Sequence, residues 1–211
     1  MSSKCVHIVA THIPAEIVSF TKPLFEAYAK KICCDVNYIN ERKFPDFPPN
    51  YERMQVYETG KKYQWNFVID ANVLVGPLLS DFTKIVDQRG VGICLCTYAP
   101  HLFHTETNKY FLRDGRNLGV VEAMVVTSSL THDLWKPLDG TPTTLIEQIK
   151  SGDQKLLSEY CLSLNTAMFR FEVFSPFAVP AQIHRLSTNS GTTVEKIAEG
   201  QQVLSSWGIT L

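Results

Sequence analysis

The sequence predicts a three-layer α/β/α sandwich around a mixed, mainly parallel, Rossmann-like sheet, and three observations carry that reading. First, the chain opens strand–helix–strand: Cys5–Ala10 is β-branched, Phe20–Ile32 has helical apolar spacing, and Val36–Ile39 is again strand-like. Second, two long apolar runs, Tyr63–Gly76 and Gly90–Tyr98, read as strands buried on both faces, which is how strands of a parallel sheet look. Third, helical and strand patterns alternate early and become mixed later.

The elements follow in order. Pro14 ends the first strand, Pro23 suits the first turn of the helix after it, and Lys30-Lys31 suit its C-terminal end. Lys43–Asn50 (KFPDFPPN) is a proline-rich loop, and Tyr51–Gly60 is a helix that Gly60 stops. Leu78, Leu79, Phe82, Ile85 and Val86 predict a helix over Pro77–Gln88. His101–Arg116 is a polar, aromatic loop with a strand piece at Lys109–Arg113. Asn117–Thr127 is a strand, and Ser128–Trp135 opens a helix after a Ser/Thr cap. Thr144–Lys150 and Asp153–Leu164 are two further helices. Met168–Phe174 alternates like an edge strand, and Thr193–Trp207 closes as an amphipathic helix.

With 211 residues, of which 45% are hydrophobic, the chain suits one well-cored domain over 1–211, with the option that it is cut from a longer multidomain protein. A net charge of −1 with both signs dispersed leaves no footprint for nucleic acid or an anionic membrane surface. No transmembrane run and no secretory leader are expected. The six cysteines sit mostly in apolar segments without metal or redox spacing, which predicts reduced thiols and a cytoplasmic setting.

The stretch Tyr63–Gly76 (YQWNFVIDANVLVG) organises the functional reading. Its apolar run is broken by Asp70-Ala71-Asn72, two polar groups that are costly to bury without partners. An extended backbone would place Asp70 and Asn72 on one face, about 6.5 Å apart. Their oxygens then suit Mg²⁺ or Mn²⁺ with phosphate completing the shell. The alternative is a strand-end turn. Arg53 is a candidate partner for a diphosphate or for Asp70, against a helix-surface arginine. His101-x-x-His104 with Glu106 is a weak zinc pattern. His132-Asp133 is no catalytic pair, because adjacent helical residues do not face each other. No nucleophile elbow, P-loop or dinucleotide fingerprint occurs.

Downstream segments add a resemblance. Tyr63–Asn72 resembles the approach to the D-x-D motif of GT-A fold glycosyltransferases. Asn117-Leu118-Gly119-Val120 and Gly152-Asp153-Gln154-Lys155-Leu156 resemble segments that follow it. The likeness extends to glycosyltransferase domains that act on viral capsid glycans, a host-cytoplasm setting. It implies a metal-dependent transfer of a hexose or deoxyhexose from a nucleotide-diphosphate sugar, a UDP-sugar first, to a glycan hydroxyl. It implies Ala10, Thr11 and His12 at the nucleoside, with Arg53, Asp70, Ala71 and Asn72 on the donor. Asp70, Asn72 and His184 would hold Mn²⁺ or Mg²⁺, and Asp153 with Gln154 would do the catalytic work. At a helix N-terminus Asp153 is expected to stay charged, facing an oxocarbenium-like sugar centre; in an inverting enzyme Asp153 or Glu122 would be the base. Asn72 departs from the motif, offering one neutral oxygen where the family has a carboxylate. Two alternatives follow: a sugar-nucleotide binding module without turnover, and a sugar nucleotidyltransferase, whose Gly-rich N-terminal loop is missing.

Overall fold

The computed structural model describes residues 3–95, 122–149, 170–174, 182–186 and 191–210. In chain order these form β1 (Lys4–Val9), α1 (Ala15–Lys31), β2 (Asp35–Ile39), a 3₁₀ segment (Pro49–Gln55) running into α2 (Val56–Thr59), β3 (Trp65–Asp70) and β4 (Val73–Val75). A 3₁₀ turn (Phe82–Lys84), β5 (Gly90–Leu95), β6 (Glu122–Ser128) and a second 3₁₀ segment (Ser129–Trp135) follow. The last elements are α3 (Pro142–Ile149), β7 (Arg170–Phe174), β8 (Ile183–Arg185) and α4 (Thr193–Ser206). Six strands make one sheet in the order β2-β1-β3-β6-β5-β7; β6 is antiparallel to both neighbours and the other pairings are parallel. The mixed, mainly parallel sheet is the one expected. β4 and β8 pair separately as a short antiparallel ribbon.

All six residues of β3 are buried, because both sheet faces are covered. Phe67 points to one face, where the Tyr28 ring of α1 meets it edge-on at 6.3 Å. Asn66 and Asp70 point to the other, beneath the 3₁₀ segments. There the Trp135 indole donates to Thr127 Oγ1 at 2.8 Å, and Arg53 reaches Asp70. Among the described residues, no helix is long and apolar enough to cross a membrane. Cys5, Cys33, Cys34 and Cys94 are free thiols.

Three local expectations need correction. Helix α1 begins at Ala15, not Phe20, with Pro14 in extended geometry before it and Glu16 in its first turn. Pro23 therefore lies mid-helix, where the lost amide donor costs about 3 kcal/mol. The buried stripe Ile17–Leu24–Phe25–Tyr28 offsets that cost. The helix ends in a Schellman closure: Cys34 N–H bonds Ala29 O at 2.8 Å, and Cys33 N–H bonds Lys30 O at 3.3 Å. Cys33 takes φ 56°, a conformation usually left to glycine.

The second correction concerns Pro77–Gln88, which is no helix beyond the single turn Phe82–Lys84. Side chains of α1 take the carbonyls a helix would have used. Lys31 Nζ donates to Pro77 O and Leu79 O, and Tyr28 OH donates to Ser80 O. Asp81 accepts from Thr83 N–H and Oγ1–H and pairs with Lys4, which ties the chain to β1 instead. Leu78 and Ile85 consequently face outward. Third, Ser128–Trp135 is 3₁₀ with a break at Thr131, fixed by a Ser128/Thr131 capping box.

Candidate functional site

β3 delivers Asp70 to its carboxyl end, beside Val9 at the end of β1, where open α/β sheets bind ligands. The chain then turns, so the extended geometry expected for Asp70 and Asn72 does not form. Ala71 N–H bonds Val9 O at 2.9 Å, and Ala71 O accepts from Thr21 Oγ1–H at 2.8 Å. Ala71 thus serves the turn with its backbone. Asn72 O accepts Leu186 N–H at 2.9 Å, which seats β8 next to the turn. The Asn72 side-chain oxygen is buried with no hydrogen-bond partner among the described residues.

Two arginines converge on Asp70. The Arg185 guanidinium lies 3.0 Å from Asp70 Oδ2 and that of Arg53 lies 3.6 Å from the same oxygen. Arg53 also donates from Nε to Asn50 O at 3.1 Å, which fixes its plane. Burial alone would raise the Asp70 carboxyl, but Arg185, Arg53 and His12 together hold it below the usual carboxylate range. Asp70 is therefore a carboxylate in use as an arginine anchor. His12, exposed at the rim, is lowered from its ordinary value by crowding on its protein side and by the arginines, against the pull of Asp70. It is neutral at pH 7.

The segment carrying Arg53 is itself latched. Glu52, fully buried, accepts from Arg42 Nε (3.1 Å), Lys43 N–H, Phe44 N–H (both 2.9 Å) and Gln55 Nε2 (2.7 Å). Arg42 in turn holds the carbonyls of Phe44, Pro45 and Phe47. The proline-rich loop closes over Tyr51, whose ring stacks on Phe47 at 4.1 Å. Thr11 Oγ1–H reaches Pro49 O at 3.4 Å, tying the end of β1 to the same loop.

Of the expected site residues, the structure thus brings together His12, Arg53 and Asp70, with Thr11 against the loop before Arg53. Ala10 lines a cavity of about 400 Å³ by the start of α1, with Lys22, Tyr38 and Asn40. Its size is that of a small-ligand pocket. His184 sits on β8 opposite Leu74, and its Nε2 is 2.9 Å from Glu199 Oε1. Asp153 and Gln154 lie outside the described residues, as does His101–Glu106. His132 Nε2–H donates to Tyr57 O at 2.8 Å and its ring stacks on Tyr57, a structural role. Sequence reasoning missed Arg185, one residue beyond the histidine it selected, because nothing local marks it as a partner of Asp70.

These donors do not suit a divalent cation. Among the described residues no group of three His, Cys, Asp or Glu side chains could hold a metal ion. Asp70 is taken by two guanidiniums, Asn72 is neutral, and His184 faces Glu199. A dication about 5 Å from one guanidinium is repelled by roughly 7 kcal/mol at an effective dielectric constant of about 20. Two such neighbours cancel most of what a lone carboxylate returns.

The mixed, mainly parallel sheet with helices on its faces is the GT-A, Rossmann-like architecture. The chain is similar to the crystal structure of a glycosyltransferase involved in glycosylation of the major capsid of PBCV-1. The TM-score is 0.51 at 14% identity, covering 92% of this chain and 98% of that one. It is likewise similar to an active-site mutant of the galactosyltransferase LgtC, with a TM-score of 0.52 at 13% identity over 96% and 95% of the two chains. No protein-family model matches the sequence, and no curated protein matches it.

Proposed function

We propose that the chain is a glycosyltransferase that moves a hexose or deoxyhexose from a nucleotide-diphosphate sugar, a UDP-sugar first, to a glycan hydroxyl. The observation that carries this reading is the Arg53–Asp70–Arg185 cluster with His12 at the carboxyl ends of β1 and β3. A diphosphate is the leaving group that such a cluster suits, because guanidinium forks match paired phosphate oxygens. The fold similarity supports it: one neighbour is involved in capsid glycosylation and the other is a galactosyltransferase. A viral capsid glycan is accordingly the first acceptor to try.

In the transfer, the bond from the sugar C1 to the β-phosphate oxygen breaks, and the diphosphate leaves with the electron pair. The acceptor oxygen bonds to C1 and gives up its proton, to Asp153 or Glu122 in an inverting transfer and to the leaving diphosphate in a retaining one. Arg53 and Arg185 stabilise the charge that develops on the leaving oxygen. Asp153, with Gln154, is assigned the catalytic work on the sugar, a carboxylate being suited to an oxocarbenium-like centre. Neutral Asn72 in place of a second carboxylate favours one rival reading, a donor-binding module without turnover.

The test is UDP release from a panel of UDP-sugars, with and without oligosaccharide acceptors. Turnover lost in Asp153→Asn with donor binding kept supports the transferase. Donor binding without release from any sugar selects the binding module, and no binding of any nucleotide sugar refutes both.

A further inference from the structure

We infer that Thr21, a threonine buried in α1, is a positioning residue of this site: its hydroxyl fixes the Asp70–Asn72 turn in the shape that receives the nucleoside diphosphate. The inference rests on the nucleotide-sugar reading and deepens it, since it adds the residue that sets the backbone of that site. Thr21 is wholly buried, and its Oγ1 lies 2.8 Å from Ala71 O, 3.0 Å from Ile17 O and 3.3 Å from Val18 O. A hydroxyl has one proton to give. Ile17 O and Val18 O belong to the helix ladder, in which a carbonyl accepts the amide four residues on. Ala71 O belongs to no ladder, because Ala71 sits between β3 and β4, in a residue with no exposed surface. The proton therefore goes to Ala71 O, the shortest of the three contacts.

Ala71 is thereby pinned on both sides. Its N–H bonds Val9 O at 2.9 Å, and its C=O takes the Thr21 hydroxyl. Those are the two peptide planes that flank Ala71, so together they set how Asp70 leaves β3 and where Asn72 enters β4. The next link is Asn72 O, which accepts Leu186 N–H at 2.9 Å and seats β8. β8 carries Arg185, 3.0 Å from Asp70 Oδ2. One helical hydroxyl thus bears on both partners of that contact, and it does so from the α1 face while Asp70 points to the other. Valine at position 21 would keep the shape of the side chain and lose the proton. A buried carbonyl without a donor is costly, and rotation of the Ala71–Asn72 peptide towards another donor is the relief. That rotation draws Asn72 O off Leu186 N–H. The site is then less preformed, and part of the binding energy goes into rebuilding it.

The experiment is calorimetric titration of the full chain with UDP, with Mn²⁺ and in EDTA, for the wild type, Thr21→Val, Thr21→Ser, Thr21→Ala and the control Thr127→Val. Thr127 is equally buried, and its Oγ1 serves Trp135 opposite Asn66, at the far end of β3 from Asp70. Thr21→Val should bind UDP about tenfold more weakly, a change the size of one buried hydrogen bond, and Thr21→Ser, which keeps the hydroxyl, within about twofold of the wild type. Thr127→Val should lower the melting temperature and leave UDP affinity in place. Amide exchange at Ala71 and Leu186 should quicken in Thr21→Val and not in Thr127→Val. Thermal melts separate unfolded variants from folded ones, and Thr21→Ala serves where Thr21→Val fails to fold. UDP affinity or Leu186 exchange unchanged by loss of the hydroxyl overturns the inference. A Thr21→Ser that binds as weakly as Thr21→Val, or a Thr127→Val that loses as much, overturns it as well. Each of those outcomes leaves the transferase reading standing. Where the wild type binds GDP, CDP or ADP instead, the same series is run with that nucleotide. No binding of any of the four by the wild type refutes the nucleotide-sugar reading, and the inference falls with it.

Discussion

Replacing His7 by glutamine should remove most of this protein's sensitivity to mild acid. His7 is wholly buried in β1, between Asn66, whose Oδ1 lies 2.9 Å from Nε2, and Asn37, whose Nδ2 lies 3.1 Å from Nδ1. Asn37 donates to Nδ1, so Nε2 carries the proton and the ring is neutral. Burial lowers its pKa from 6.5 to about 4, with the Asn66 contact opposing and the His132 and Lys62 charges adding. Between those values the unfolded chain binds a proton that the folded chain does not. Stability therefore rises with pH through this window; the contribution is complete above 6.5 and lost as pH falls to about 4. The displacement corresponds to about 3 kcal/mol, a large share of a domain's stability. Urea unfolding of wild type and His7→Gln at several values between pH 7.5 and 4 measures it, because acid effects from other groups cancel in the difference. The wild type should lose about 3 kcal/mol more than the variant across the window. Parallel profiles would refute the reasoning, since they would mean His7 protonates in the native core without penalty.

Three further outcomes are expected. Glu52→Gln should cost about 2–3 kcal/mol by urea unfolding, because a buried, charged acceptor of four bonds becomes a neutral one. It should also loosen UDP binding through Arg53. Cys33→Gly should raise stability by about 0.5–1 kcal/mol, read as a higher urea midpoint, since φ 56° costs a glycine nothing. Thr192→Ala should lose about 1 kcal/mol and fray α4 in amide exchange, because Thr192 and Glu195 form that helix's capping box.

How far the sequence could be read depended on range. β3 was legible because an apolar run of that length has to be buried on both faces, and Asp70 stood out as the polar residue ending it. The parallel β1–α1–β2 unit was legible from local periodicity. The Pro77–Gln88 segment was misread because its periodicity is real but its carbonyls are claimed by Lys31 and Tyr28, from an element far back in the chain. Arg185 was invisible for a similar reason. Nothing near it in sequence says that it will meet Asp70, and the neighbouring histidine drew the eye. Asn72 was legible as a departure from the motif that the stretch resembles, but the turn that buries its side chain was not.

The β4–β8 ribbon has a consequence for how activity is gained during folding. Asp70 and Arg53 lie in the first third of the chain, in the part that builds β1, β2 and β3. Arg185 arrives only when β8 pairs with β4, a closure across about half of the chain's length. Gln182 strengthens that closure by accepting Gly76 N–H on its backbone and Leu78 N–H on its side chain. A refolding chain should therefore regain its secondary structure in an early kinetic phase and the Asp70–Arg185 pair only in a later one. Ligand added during refolding would report the docking of three residues, Ile183–Arg185, as a separate event.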